Sequence, residues 1–335
     1  MTITTQPEPT AATAAAAATP DAAFGSPTTV ALYVCTHQRN EMLRALVDAA
    51  AESALRARHL ASVAIVVVDD NPDGRARAVV ADLDAATAAA FELGVHYVHV
   101  GGRNIAAARN AGLEAALGLA EWIAVTDDDC TPSPGWISEL LAVQQRYDCD
   151  AVAGPFVRTA PHDAPRWLVE QPFLDFGEPD IDDGAETDYA GTGNSLWRSA
   201  FLRSHPDIRY QPSLGTLGGE DAVFARQAIA AGLTVRYASA AVVTSCEEAG
   251  RHTYRYRIRA QLWLGNTTSV TNLMLGSAGR PRLVARGVRR CAGALARPAR
   301  RLLRGAAPQV RYALFEATYG VGMVLGAVGV KVEHR

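Results

Sequence analysis

No glycine-rich loop follows the first apolar run of this chain, no C-x-x-C pair occurs, and no basic, Leu-rich leader opens it. Each absence excludes something. After Thr29-Val-Ala-Leu-Tyr-Val-Cys35 come Thr36-His-Gln-Arg-Asn40, with no glycine to let the backbone approach a pyrophosphate, so a G-x-G-x-x-G dinucleotide site is rejected. Five cysteines (Cys35, Cys130, Cys149, Cys246 and Cys291) are odd in number and widely spaced. They exclude a disulfide frame and a thiolate zinc site, and read as reduced residues of a cytosolic chain. Residues 1–27 are Ala, Thr and Pro with hardly any charge. They lack the layout of a secretory signal and are expected to form a disordered tail. A formal net charge of −3 over 335 residues gives no case for a nucleic-acid partner. With 49% hydrophobic and 20% charged residues, the chain has an ordinary globular composition, long enough for one large α/β domain or two smaller ones.

What is present alternates. Thr29–Cys35 reads as a strand, with Asn40 as N-cap of a helix over Glu41–Arg58 whose buried stripe is Leu43, Leu46, Val47 and Ala50. Val63–Val68 is a continuous apolar run, as in a strand covered on both faces, and it ends in Asp69-Asp70-Asn71-Pro72. A second helix is expected over Ala76–Leu93 and a third strand over Val95–Val100. Gly101-Gly102 ends that strand, and Asn104 opens a helix over Ile105–Leu119 that carries Arg109. Trp122–Thr126 is the fourth strand. Such alternation predicts an α/β fold with a doubly wound, mixed but mostly parallel sheet flanked by helices, binding its ligand beyond the carboxyl ends of the strands.

Those ends carry Thr36 to Arg39, Asp69-Asp70, Gly101-Gly102-Arg103 and Asp127-Asp128-Asp129. Three adjacent carboxylates repel, and a cation held among them would relieve the conflict. Hard oxygen ligands suit Mg²⁺ or Mn²⁺, with waters and a substrate phosphate completing the shell. The plainer alternative is a solvated acidic turn, with Asp capping the helix that starts near Trp136.

The order Val-Cys-Thr-x-x-Arg, Val-Val-Val-Asp-Asp-Asn, Asn-x-x-x-x-Ala-Arg-Asn-x-Gly and Thr-Asp-Asp-Asp resembles the family 2 glycosyltransferases of the GT-A fold. Tyr189-Ala-Gly-Thr-Gly-Asn194-Ser-Leu-Trp-Arg198 and Gly218-Gly-Glu220-Asp221 look like that family's acceptor-side segments. The likeness spans residues 28–270 and is greatest to bacterial polysaccharide and antibiotic-sugar members. It implies a nucleotide-sugar half over 28–132, an acceptor half over 133–270 and an added C-terminal extension over 271–335. It also implies a UDP-sugar or other nucleotide-diphosphate sugar as donor, and a glycan, lipid-linked or natural-product acceptor. Transfer would be a metal-assisted, inverting displacement. By the same resemblance Asp70 would meet the base, with Thr36 and Arg39 beside it, and Arg103 or Arg109 would face ribose and diphosphate. Asp127 and Asp128 would contact donor, Asp129 with Asp127 would ligate metal, and Asp221 would be the base with Glu220 beside it. Two rivals stay open: a sugar-phosphate nucleotidyltransferase, which would want a glycine-rich basic loop, and an inactive carbohydrate-binding relative. Simpler roles also stand, with Asp69 capping a turn, Arg109 in a surface ion pair and Glu220 capping a helix. Where many relatives carry a metal-binding His, Thr244-Ser-Cys-Glu-Glu248 stands instead and the nearest His is His252, which leaves a His ligand open.

Residues 155–188 hold five prolines among Trp167, Phe173 and Phe176. This predicts an irregular acceptor lid with Trp167, Gly193 and Asn194 on the acceptor side, or aromatics simply packed beneath a loop. A helix is expected from Glu220 to Ala231, then a strand over Thr234–Val243. Arg280–Arg311 has ten Arg and no acid, interleaved with Leu and Val. Tyr312–Val330 is nearly apolar but holds Glu316 and four glycines, marginal for a span. Together, residues 280–330 form either a peripheral contact at the inner face of the plasma membrane or a unit docked on the catalytic domain, and the Arg run alone also fits a solvated helix face.

Overall fold

The computed structural model describes residues 27–333 apart from 163, 170–180, 189 and 247. The expected N-terminal tail, Phe173 and Phe176 lie outside the described residues, except that residue 27 is included. In chain order the elements are β1 (Thr28–Thr36), α1 (Asn40–Ala57), β2 (Ala61–Asp69), α2 (Arg77–Ala81), α3 (Ala85–Ala89), β3 (Val95–His99), α4 (Ile105–Leu117) and β4 (Trp122–Val125). Next come β5 (Cys130–Pro132), α5 (Trp136–Tyr147), β6 (Ala151–Ala153), β7 (Phe156–Thr159), α6 (Arg166–Val169), β8 (Ser195–Arg198), α7 (Ser199–Ser204) and α8 (Glu220–Ala230). The chain ends with β9 (Val235–Tyr237), β10 (Val243–Cys246), α9 (Tyr254–Met274), α10 (Arg280–Leu303) and α11 (Val310–Ala327).

Seven strands form one sheet in the order β3-β2-β1-β4-β8-β6-β9. The β1–β2, β2–β3, β1–β4 and β6–β9 pairs are parallel, while β8 runs antiparallel to both β4 and β6. The mixed, mostly parallel sheet expected from the sequence is therefore present. A second, three-stranded sheet has the order β5-β10-β7.

The apolar run in β2 divides as a doubly covered strand must. Val63, Ile65 and Val67 join Leu43, Leu46 and Leu140 in the core on one face, under α1 and α5. Ala64, Val66 and Val68 join Tyr33, Leu113 and Phe224 on the other, under α4 and α8. Each fully buried Leu, Ile or Val side chain contributes roughly 1.5–3 kcal/mol, so the two layers dominate stability.

Four local expectations are corrected. Asn40 lies inside α1, with Arg39 at the cap position, and its Nδ2 donates to Arg75 O instead. The helix expected over Ala76–Leu93 is two short helices, because Asp84 accepts from Thr87 N and starts a new cap in the middle. The strand expected over Thr234–Val243 splits into β9 and β10, which belong to different sheets. Finally, Gly135 rather than an Asp precedes α5, and no side chain caps it.

At the C-terminus the helices pack on one another. A Cβ on Gly265 of α9 would lie 2.0 Å from Tyr319 O, and one on Gly322 of α11 would lie 2.0 Å from Leu262 O. The glycines that made Tyr312–Val330 marginal as a span thus let two helix backbones touch. Leu283, Met323 and Ala327 close the α10–α11 seam. The boundary expected at 270 falls inside α9. Among the described residues, no helix is long and apolar enough to cross a membrane.

Candidate active site

The parallel register sets Thr36 beside Asp69 and Asp69 beside His99, so β1 and β2 end level, and β4 ends one strand over at Val125. The loops leaving these ends are where the polar residues meet.

Asp69 and Asp70 separate cleanly. Asp69 is fully buried and accepts from Asn71 N, Asn71 Nδ2, Ala76 N and Tyr97 Oη, so it builds the loop. Asp70 accepts only from Gly102 N, at 2.9 Å, through Oδ1, and no described residue holds Oδ2. Of the two, Asp70, itself 2% exposed, is the one with a carboxylate oxygen uncommitted among the described residues. Arg103, beside it in sequence, has φ 52°, a left-handed conformation uncommon for a side-chain-bearing residue.

The three consecutive aspartates are held by different partners. Asp127 accepts from Arg109 Nη2 at 2.9 Å and stays 39% exposed. Asp128 is buried, taking Thr36 Oγ1 at 2.8 Å and Arg39 Nη1 at 2.9 Å. Burial pushes its carboxyl up to about 6, against the opposing effect of Arg39. Asp129 Oδ2 lies 3.2 Å from Arg39 and 3.8 Å from Arg251. Arg39 also reaches Glu248 at 2.7 Å, and Arg251 reaches it at 3.4 Å. Arginines from three segments thus relieve the mutual repulsion of the triplet.

Arg109 is not a surface residue. Its guanidinium is 10% exposed, lies 5.9 Å over the Tyr210 ring and joins Asp127 to Glu220 of α8. Tyr210 is itself hydrogen-bonded to Tyr33 at 2.7 Å. The Glu220 carboxylate is 4% exposed, and its Oε2 is buried with no hydrogen bond. Burial raises its pKa, and the neighbouring Asp221 charge raises it further against Arg109. Asp221, next in the chain, is bonded only by Ala222 N among the described residues. Gly219 has φ 84°, and a Cβ there would meet Thr267 Cγ2 at 2.6 Å. Glycine is therefore what lets α8 begin against α9, with Glu220 and Asp221 in its first turn.

On the acceptor side, Asn194 is buried structure. It accepts from Trp136 Nε1 and donates to Pro155 O and Ala241 O, all at 2.7 Å. Gly193 O accepts from Thr126 Oγ1, and a Cβ on Gly193 would meet Phe156 at 2.8 Å. Trp167 stacks on Tyr254 at 4.3 Å and lies 6.2 Å from Phe315, which ties α6 to α9 and α11. Its ring packs against the C-terminal helices, and residues 170–180 of the expected lid lie outside the described residues. His252 Nε2 is buried and unbonded among the described residues. The residues joined to Asp129 through the arginines are Arg251 and Glu248.

No group of three or more His, Cys, Asp or Glu poised to hold a metal occurs among the described residues. The donor chemistry still suits a cation of the Mg²⁺ or Mn²⁺ kind, which takes one or two carboxylates and completes its shell with water and substrate phosphate. Asp127 and Asp129, each with an oxygen free of arginine, are the residues that could supply those carboxylates.

A sequence model of Glycosyl transferase family 2 matches residues 32–204, just over half the chain, from the first strand through the aspartates into the acceptor half. The chain belongs to glycosyl transferase family 2. It is 31% identical over 212 residues to the succinoglycan biosynthesis protein ExoM of Rhizobium meliloti (strain 1021), covering 63% of this chain and 64% of that protein. It thus spans slightly less than two thirds of that relative. The crystal structure of S. aureus TarS 1-349 in complex with UDP superposes with a TM-score of 0.52 over 89% of this chain and 90% of that one, at 14% identity. GalNAc-T7 with UDP, GalNAc and Mn²⁺ superposes with a TM-score of 0.50 over 74% of this chain and 50% of that one, at 13% identity. At these identities the two structures speak for the GT-A fold.

Tyr33, Tyr210, Glu248 and Arg251 were not among the expected site residues. Tyr33 reads as one more apolar position of a strand, and the other three lie far from the aspartates in sequence, so no local spacing marks them.

Proposed function

We propose that this family 2 chain transfers a glycosyl group from a UDP-sugar to a hydroxyl of a glycan under assembly, with inversion at the anomeric carbon. The observation that carries the reading is Arg109, which joins Asp127 at the donor strand ends to Glu220, next to Asp221 on the acceptor side. One buried cation thereby fixes the two halves of a single site.

The nucleotide would lie along the β1, β2 and β4 ends. Asp70 would accept from the base, with Thr36 and Arg39 keeping Asp128 in place behind the sugar. That TarS and GalNAc-T7 hold UDP supports a uridine donor, and ExoM's part in succinoglycan biosynthesis supports a polysaccharide acceptor. GalNAc-T7 also carries Mn²⁺, which supports a divalent cation on Asp129 and Asp127. Such a cation neutralises charge on the departing diphosphate, worth several kcal/mol.

Asp221 would take the acceptor's proton as its oxygen bonds to the anomeric carbon and the bond to the diphosphate breaks. A base must come within about 3 Å of that hydroxyl, and it contributes roughly 10²–10⁴ in rate. The poorly solvated Glu220 would hold Arg109 rather than take the proton, since its own charge is already committed. Calorimetry with UDP, with and without Mn²⁺, and transfer assays over a nucleotide-sugar panel test the reading. Asp129→Ala should weaken Mn²⁺-dependent UDP binding, while Asp221→Asn should keep UDP binding and lose transfer. Equal UDP affinity in EDTA would remove the metal role, and near-native turnover by Asp221→Asn would move the base elsewhere.

A further inference from the structure

Helix α10 presents three faces. Leu283, Gly287 and Ala294 are buried, and Leu283 packs with Met323 and Ala327 of α11. A second face carries Val288, Leu295 and Leu302, which are 56%, 72% and 62% exposed, with Leu303 beside them at 87%. At 100° per residue, exposed Ala285, Ala292 and Ala299 fall on this same side. The third face is cationic: Arg282, Arg286, Arg289, Arg300 and Arg304 are exposed, and no described acid pairs with them. Arg290 and Arg297, by contrast, are engaged, the first with Glu316 and Tyr319 and the second over the Tyr312 ring.

A solvated helix would not turn four large apolar side chains outward beside a row of unpaired arginines. A helix lying in a lipid interface has this layout, with its apolar side in the acyl boundary and its cations at the headgroups. Near the start of α10, Val284, Val288, Ala327 and Val328 line an open apolar groove between α10 and α11, with Arg280 and Arg289 at its rim. The groove extends the apolar side onto α11.

We propose that the outer face of α10, with this groove, docks the protein on an anionic lipid membrane. Charge selects the occupant. A second copy would bring the same arginines face to face, and residues 1–27 carry too little negative charge to answer them. The docked helix is coupled to the catalytic domain, because α11 packs on α9 and Phe315 and Tyr254 hold Trp167 of the acceptor half. Membrane docking would therefore fix the acceptor half relative to the bilayer, as a lipid-linked acceptor requires. The proposal itself rests on α10 and the groove it forms with α11, and does not depend on the transfer reading.

The test is co-sedimentation of the full-length chain with vesicles of phosphatidylcholine, with or without phosphatidylglycerol. Binding is expected only with phosphatidylglycerol and should fall as salt shortens the Debye length toward about 3 Å near ~1 M. Replacing Arg282, Arg286, Arg289 and Arg300 by Gln should lower partitioning by up to about fivefold per residue. Val288→Glu with Leu295→Glu should abolish binding, and since both side chains are exposed the fold and UDP binding should be unchanged. No pelleting at low salt, or pelleting unaffected by both variants, overturns the proposal. So does a dimer in light scattering that Val288→Glu/Leu295→Glu dissolves without vesicle binding, because the face would then belong to a second copy. Loss of vesicle binding on deleting residues 1–26, with α10 intact, overturns it as well.

Discussion

Replacing Arg109 by Met keeps the stem's bulk and removes its charge, and the structure says which carboxylate suffers. Asp127 is 39% exposed, so its lost pairing is screened by water and costs less than about 1 kcal/mol. Glu220 is 4% exposed, its Oε2 has no partner among the described residues, and Arg109 is the cation paired with it. Breaking a buried pair from one side typically costs about 3–5 kcal/mol. The lost cation on Tyr210 adds about 0.5–1 kcal/mol. Glu220 has an escape, since it can bind a proton. Its folded pKa already lies above the ordinary 4.5, and losing Arg109 moves it further up. The penalty is therefore full only above the raised pKa of the variant, and fades as pH falls through it. Urea unfolding of the wild type, Arg109→Met, Glu220→Gln and the double variant, at several pH values, measures this. Expected are a loss of about 3–5 kcal/mol for Arg109→Met at the alkaline end of the series, shrinking as pH falls, and recovery of most of it by Glu220→Gln. A cost below about 1 kcal/mol, or no recovery in the double variant, would refute the claim that Arg109 neutralises a buried Glu220.

Three further outcomes are expected. Asp128 titrates near 6 when folded and at an ordinary 3.8 when unfolded, so the folded state binds the extra proton between those values and wild type gains stability there as pH falls. Relative to Asp128→Asn, wild type should thus gain up to about 3 kcal/mol from pH ~7 to ~4, and a flat difference in denaturant titrations would contradict the burial of Asp128. Gly219→Ala must place a Cβ at φ 84° and 2.6 Å from Thr267, so it should lose about 2–4 kcal/mol in thermal unfolding, with transfer falling alongside. Trp167→Ala removes the ring stacked between the acceptor half and the C-terminal helices, and should increase hydrogen exchange in α9 and α11 while leaving UDP affinity unchanged.

The parts of the site that the sequence made legible are those written in short-range pattern. Asp70 and Asp127 to Asp129 each end an apolar run, and a parallel sheet must bring such ends to one edge. Asn104 was legible for the same reason: its side chain accepts from Ala107 N, three residues on, whatever the rest of the fold does. Asn40 looked equivalent and is not, because its amide is drawn to Arg75 O, thirty-five residues away. Asp84 starts a new helix within a run of good helix formers, since an Asp that can cap offers the backbone an alternative to continuing.

What stayed illegible is the supply of counter-charge. A triplet of aspartates poses the same electrostatic conflict in any fold, and it can be relieved by a metal, by arginines or by both. Here the arginines come from the β1 loop, α4 and the segment after β10, and nothing in the triplet's own sequence names them. The division of labour follows from their depth. Asp128, the most buried, is neutralised by the chain itself through Arg39 and Thr36, so its work is to hold the loop. Asp127, the most exposed, keeps an oxygen beyond its bond to Arg109, and Asp129 meets its arginines through Oδ2 alone. Carboxylates that the protein has only partly satisfied are the ones that could complete the shell of a cation. Burial rather than residue type thus separates Asp128 from its two neighbours, which three identical letters in a row could not reveal.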